Sequence, residues 1–290
     1  MSETVTGRCH RWVAMMEGVD IEQLQTRRLR SWCQDGEHRV PDPEAAKQFI
    51  QRHGLVTHYA ASAEVPNLYD AYMSEPKAKL DASWDSPSGH VYVWRWDIGK
   101  SLAAFYGALV AKKPTWIAWD VLPLVLGFGM ERRDPEDLYV DGLLSNDAIR
   151  IVRAFEGAGG VLSTKELRKR AGFPTGKPER AAYLKAVEEL DTRLLLAKVF
   201  DSESAADDMN HALIGVKYAG QVAEAVQMTP SDALGRFLDR YLSQSFFIDP
   251  RLFAKHLRIP SPVMDKAVED LVKNDVARRV DGWLVTANFE

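Results

Sequence analysis

The chain has 290 residues, 46% of them apolar and 27% charged, and a net charge of −4. That length is enough for one large domain or two to three small ones without covalent staples, and the composition excludes a mainly disordered chain. The longest apolar run, WIAWDVLPLVLGFGM, is broken by Asp120 and Pro123 and falls short of the ~20 residues of a membrane span, so no membrane partner is expected. The N-terminal stretch lacks a basic region leading into a continuous apolar segment, so it does not read as a secretory signal, and the cytoplasm is the expected compartment. Cys9 and Cys33 sit in no metal-type spacing and read as reduced thiols. With no P-loop, dinucleotide-binding glycine motif, nucleophile elbow or zinc-spaced Cys/His set, neither a cofactor nor a metal is expected.

In chain order, residues 20–33 read as a helix with mixed faces, and residues 43–53 as a helix opened by Asp42 and Pro43 and stopped by Gly54. LVTHYA reads as a strand and VPNLYDAYM as a short helix. HVYVWRW reads as a strand, in which period-2 alternation sends Trp94 and Trp96 to one face and Arg95 and Asp97 to the other. The indoles are then core, and the polar pair faces either solvent or a cleft. KSLAAFYGALVA reads as a helix, and PTWIAWDVLP as a strand or wing. His58 reads as a packed histidine or an acid/base group. Asp120, inside an apolar stretch, needs a partner if buried.

The second half holds a degenerate repeat. VLSTKELRKRAGFPTGKPERAAYLKAVEELDTRLLLAKVF and FFIDPRLFAKHLRIPSPVMDKAVEDLVKNDVARRVDGWLV share one grammar. Each opens with a short strand and a cap, Ser163 or Thr164 in one and Asp249 before Pro250 in the other; a short helix, a proline-containing turn, a longer helix and a β-rich tail follow. A helix precedes each copy, at 145–157 after Ser145 and at 231–243 after Ser231. In the longer helices Tyr183, Leu184, Val187 and Leu190, or Val263, Ala267, Val268 and Leu271, form the apolar stripe. In the second copy VARRV and WLVTA flank Asp281-Gly282, a strong hairpin signal. In the first, LLLAKVF and HALIGVKY flank the longer tip DSESAADDMN. This is the order of a winged-helix unit. The expected fold is mainly α with short β-hairpins: tandem winged-helix (helix-turn-helix plus wing) units around a concave channel. The expected divisions are an N-terminal winged-helix-like region with insertions at 1–142, a second unit at 143–226 and a third at 227–290.

Net charge alone does not announce a nucleic-acid binder, but its distribution matters. Residues 163–185 carry Lys165, Arg168, Lys169, Arg170, Lys177, Arg180 and Lys185 against Glu166 and Glu179, a local charge of +5. Those cations suit DNA phosphates, or else form a solvated helix face. Glu188 and Glu189, further along the same helix, count against its entering a groove.

Trp94, Arg95 and Trp96, then Tyr106-Gly107, Lys113-Pro114, Asp120 through Pro123 and DPEDLYVDGLLSNDAIRI give the chain a resemblance to the AlkZ-related branch of the AlkZ and YcaQ-like winged-helix DNA glycosylases, from about residue 42 to the end. The resemblance implies tandem winged-helix units around a DNA-sized channel and excision of alkylated bases. It also implies a catalytic pair, glutamine with a second glutamine or aspartate two residues on, just after a GL strand start. Here the stretch is GLVTHYAAS, and Thr57 and Tyr59 occupy those positions, without a carboxamide or carboxylate.

The expected function is therefore a glycosylase-like protein that binds double-stranded DNA, with excision altered or lost. The other reading is a non-catalytic winged-helix regulator or a module that binds a protein partner. A third is an enzyme on a different substrate, with His58, Arg95 and Asp97 in its cleft. Whether the chain is an enzyme is left open. The candidate pocket is Thr57, His58, Tyr59, Arg95, Asp97 and Asp120, with Tyr106 as further stacking surface for an extruded base. The candidate DNA contacts are Lys165, Arg168, Lys169, Arg170, Lys177 and Arg180.

Overall fold

The structure, a computed structural model, describes residues 20–81, 83–173, 176–203 and 209–287. Cys9, the N-terminal stretch, the two residues before Gly176 and most of the DSESAADDMN tip lie outside the described residues. Helix α1 spans Ile21–Ser31. After it come α2 (Pro43–His53), β1 (Leu55–Thr57), α3 (Leu68–Met73), α4 (Pro87–Lys100), β2 (Phe105–Gly107), β3 (Thr115–Ile117), α5 (Leu122–Gly129) and α6 (Pro135–Val140). Next are α7 (Asn146–Arg153), β4 (Leu162–Ser163), α8 (Thr164–Arg170), α9 (Lys177–Thr192), β5 (Leu196–Phe200), β6 (Met209–Leu213), α10 (Ile214–Lys217) and α11 (Ala219–Ala225). The described chain closes with α12 (Pro230–Ser245), β7 (Phe247–Ile248), α13 (Pro250–Leu257), α14 (Ser261–Lys273), β8 (Ala277–Val280) and β9 (Trp283–Thr286).

Three short antiparallel sheets have the same order: β1-β3-β2, β4-β6-β5 and β7-β9-β8. In each, the strand before the short helix pairs with the second strand of the following hairpin. The element order is also the same in all three: helix, strand, short helix, longer helix, two strands. The local signals that set these elements are side-chain caps. Asp42, Ser145, Ser163 and Asp249 each accept hydrogen bonds from first-turn N–H groups of the helix that follows. Ser163 forms a capping box with Glu166.

The segment 91–97 is helix, not strand. Ser86 caps α4 from Gly89 N, and Pro87 occupies its first turn, so the β-rich composition of VYVWRW yields to a strong start signal and to tertiary packing. The expected shared faces do not exist, because residues two apart on a helix point about 200° apart. The next segment is corrected in the opposite sense. Residues 105–107 form β2, not the middle of a helix, and pair with β3 in the register Tyr106↔Trp116. Of PTWIAWDVLP only Thr115–Ile117 is strand. Smaller corrections are that Thr229 rather than Ser231 caps α12, that the helix after Ser145 stops at Arg153, and that HALIGVKY is strand only to Leu213. Leu184 does not join the apolar stripe of α9 but is 53% exposed.

One apolar core joins α5, α11, α12, α13 and α14, centred on buried Leu122, Val125, Leu126, Phe237, Leu238, Phe253 and Val268. A second lies beneath α7, α8 and α9, and a third beneath α2, α3 and α4. Phe200, the last residue of β5, is packed into this third core, where it meets Trp96, Tyr106 and Trp116 at ring-centroid distances of 5.7, 5.5 and 6.0 Å. Gly99 makes room for it: a Cβ there would lie 2.4 Å from the Phe200 ring. Gly99→Ala is expected to push α4 off β5 and lower stability by about 1–3 kcal/mol, the usual range for overpacking. Urea denaturation checks this, and an unchanged midpoint would contradict the packing described.

Candidate nucleic-acid interface

The structure divides the expected pocket residues. Thr57 is fully buried on β1, where its N–H and, more weakly, its Oγ1 donate to the Pro66 carbonyl. His58 is 2% exposed, and its Nδ1 accepts from the Trp116 indole N–H at 3.2 Å. That acceptor role assigns the neutral tautomer with its proton on Nε2. Burial, with a smaller contribution from the nearby Arg95 charge, pushes the His58 pKa down to about 4, against a hydrogen bond to the Val91 backbone that favours the protonated ring. The Tyr59 hydroxyl donates to the Ser88 carbonyl at 2.8 Å.

Helix α4 brings Arg95 over this group. Its guanidinium lies 3.7 Å from the centroid of the Tyr92 ring and 4.5 Å from that of Trp96, and it donates to the Tyr92 hydroxyl. Tyr92, Arg95, Trp96 and Gly99 share one face at helical spacing, turned toward β5, while Trp94 is buried against Tyr72 on another. Burial raises the Tyr59 hydroxyl pKa and pushes that of Tyr106 up to about 12, with Arg95 opposing both shifts. His58, Tyr59, Arg95 and Tyr106 therefore form one cluster. Beside it opens a cleft of about 370 Å³ lined by Leu102, Tyr106, Trp119, Lys198, Phe200 and Tyr218. Lys198 is bonded there to the buried Asp191 at 2.6 Å.

Asp97 and Asp120 are not in this cluster. Asp97 is exposed on the outer face of α4. Asp120 follows β3 at the end away from Thr57, because Leu55 pairs with Ile117 and Thr57 with Thr115. Its carboxylate is paired with Arg240, which also donates to the Gln51 carbonyl at 3.0 Å. It ties α2 to α12 and is not a cleft carboxylate.

The basic stretch divides as well. Arg168 lies 5.6 Å from the Tyr183 ring, and Arg170 reaches the carbonyls of Ala154 and Glu156 at 3.4 and 3.5 Å. Both have structural duties. Lys165, Lys169, Lys177 and Arg180 are exposed and have no ion-pair partner among the described residues. They occupy α8 and the first turn of α9. The two acids that weighed against this helix are engaged toward its other end, roughly 12 Å or more along the axis. Glu188 pairs with Lys112 at 2.5 Å, and Glu189 accepts from Ser145 N and Oγ at 3.0 and 2.6 Å.

Sequence reasoning missed three groups. Tyr92 and Phe200 were hidden by the strand reading of 91–97. The third is a buried ion pair, Arg28 with Glu64 at 3.1 Å; its one legible trace is that Leu24 and Arg28 are spaced i, i+4 on α1 and so share its buried face.

The sequence model of the AlkZ-related family matches residues 40–213, more than half of the chain. The chain belongs to the AlkZ-related family. Its fold is similar to that of the Streptomyces sahachiroi DNA glycosylase AlkZ, with a TM-score of 0.54 at 13% identity over 92% of this chain and 69% of that one. No curated protein matches the chain. Among the described residues, no helix of this AlkZ-related protein is long and apolar enough to cross a membrane.

Buried histidines give this family member a definite acid response. His53 is held at about 3 and both His58 and His211 at about 4, in each case chiefly by burial. An unfolded imidazole takes its proton near 6.5, so between those values the unfolded chain binds more protons and stability falls as pH falls. From pH 7.5 to 5, unfolding by urea is expected to become easier by on the order of 2 kcal/mol per histidine. His211→Gln should flatten the dependence, and equal midpoints at the two pH values would contradict it.

Proposed function

We propose that this AlkZ-related protein binds double-stranded DNA through tandem winged-helix units without the base excision of the characterised glycosylases. Support for the winged-helix reading is the shared order of the three sheets and of the helices around them. The units run over the N-terminal region to residue 142, then 143–226 and 227–290. The observation that carries DNA binding is the set of cations Lys165, Lys169, Lys177 and Arg180 on adjoining helices, without ion-pair partners among the described residues, with Glu188 and Glu189 occupied elsewhere. The Glu179 carboxylate lies over the N-cap Gly176, where it offsets the helix dipole and one of the four positive charges, leaving a net positive face.

Excision by the family's route would need polar side chains presented to a sugar and a water. Thr57 is enclosed, and the Tyr59 hydroxyl is committed to Ser88, which supports loss of that step. A cytoplasmic location goes with this DNA-binding reading.

Two measurements test the proposal. Replacing Lys165, Lys169, Lys177 and Arg180 together by alanine is expected to weaken duplex binding at low salt at least tenfold. The slope of log K against log salt should drop by about 0.9 for each phosphate contact removed. Unchanged affinity in a folded variant would overturn DNA binding by this face. Alkylated duplex incubated with the wild-type protein is expected to yield no abasic sites, and their appearance would overturn the loss of excision.

A further inference from the structure

A separate cleft of about 550 Å³ lies between α1, the loop that follows the Thr57–Tyr59 stretch, and α13. Its volume suits a ligand the size of a nucleoside. The left-handed backbone at Cys33 (φ 55°) turns the chain directly after α1, so that Trp32 and Gln34 both line this cleft. From the loop come Glu64 and Asn67, and from α13 comes His256, bonded to Ser62 at 2.7 Å.

Two enclosed donors here have no partner among the described residues, the Trp32 indole N–H and the Arg28 Nε. Gln34 is 5% exposed and lines the cleft, and its carboxamide makes no hydrogen bond among the described residues. Asn67 is 3% exposed; its Oδ1 caps α3 by accepting from Asp70 N at 2.8 Å, which leaves its Nδ2 toward the cleft without a bond among the described residues. Folded proteins rarely leave such donors and acceptors unmatched. The charges, in contrast, are already compensated. Arg28 is paired with Glu64, whose Oε2 also accepts from Asp249 N at 3.1 Å, and both Asp70 carboxylate oxygens accept backbone N–H groups of Lys77 and Ala78.

A site with matched charges, the Gln34 carboxamide, the Asn67 Nδ2, an indole N–H and the rings of Trp32 and Trp283 is suited to a neutral, flat ligand with adjacent donors and acceptors. Carboxamides read the edges of nucleobases in this way. We infer that this cleft binds a nucleobase, presented either in a free nucleoside or by an unpaired position of a nucleic-acid strand, through Gln34, Asn67 and the Trp32 indole. The inference goes beyond the duplex binding proposed above, which rests on other residues.

The test uses the full chain, titrated with adenosine, guanosine, cytidine and uridine and, separately, with a duplex carrying a single-base bulge. Binding is read by calorimetry and by the Trp32 indole N–H resonance, assigned with Trp32→Phe. The expected result is saturable binding of at least one of these probes with a shift of that resonance, weakened tenfold or more by Gln34→Leu and by Asn67→Asp. The aspartate variant keeps the cap on α3 and so guards against simple misfolding. A response to nucleosides identifies a free ligand; a response to the bulge alone identifies a strand-borne base. The α8–α9 quadruple alanine variant should bind nucleosides as the wild type does, so failure of the duplex proposal and failure of this one are distinguishable. No shift with any probe, or wild-type affinity in both cleft variants, overturns the inference.

Discussion

The arrangement of this protein depends on one aromatic insertion. Phe200 leaves the hairpin of the second repeat and enters the core of the first, filling the space that Gly99 leaves on α4 and stacking near Trp116 of β3. Large aromatic side chains bury more area than any other residues, so a single one placed across a boundary can set the position of two neighbouring units. Because Phe200 meets α4, it also sets which face of that helix turns inward. Arg95, Trp96 and the Tyr92 hydroxyl are held where they are by this contact.

The three repeats share a scaffold and differ in what their longer helix displays. In α4 the inward face is aromatic with a single guanidinium, layered between the Tyr92 and Trp96 rings. In α9 the first turn displays Lys177 and Arg180 beside Glu179, and Glu188 and Glu189 are spent on contacts to Lys112 and to the start of α7. In α14 acids and bases alternate, with Lys266 bonded to Asp270 one turn on. Repetition of a fold therefore does not repeat a surface.

Polar groups inside the protein fall into two kinds. Asp191 with Lys198, and Arg28 with Glu64, are buried but matched, so removing one partner leaves the other charge stranded at a high cost. The histidines at 53, 58 and 211 are buried and neutral, with the charged form penalised by desolvation. The first kind ties elements together by paired charge, with burial raising the Glu64 and Asp191 carboxyls, whereas the second makes the fold sensitive to acid.

The second half of the fold was legible from the sequence because its signals are local. Ser145, Ser163 and Asp249 cap the helices after them, and Asp281-Gly282 closes the hairpin between β8 and β9. Such contacts span two to four residues and act wherever the segment lies. The family resemblance was legible too, since it depends on residue identity. What only the tertiary structure decided was the state of residues 87–107 and, through it, the site. Val, Tyr and Trp satisfy a strand or a helix equally well in isolation, and the choice fell to burial of Val91, Trp94 and Ile98 against α2 and α3. The same holds for Asp97 and Asp120. Their chemistry could be read in the sequence, but their distance from Thr57 follows from strand register and helix rotation, which depend on contacts between residues far apart in the chain.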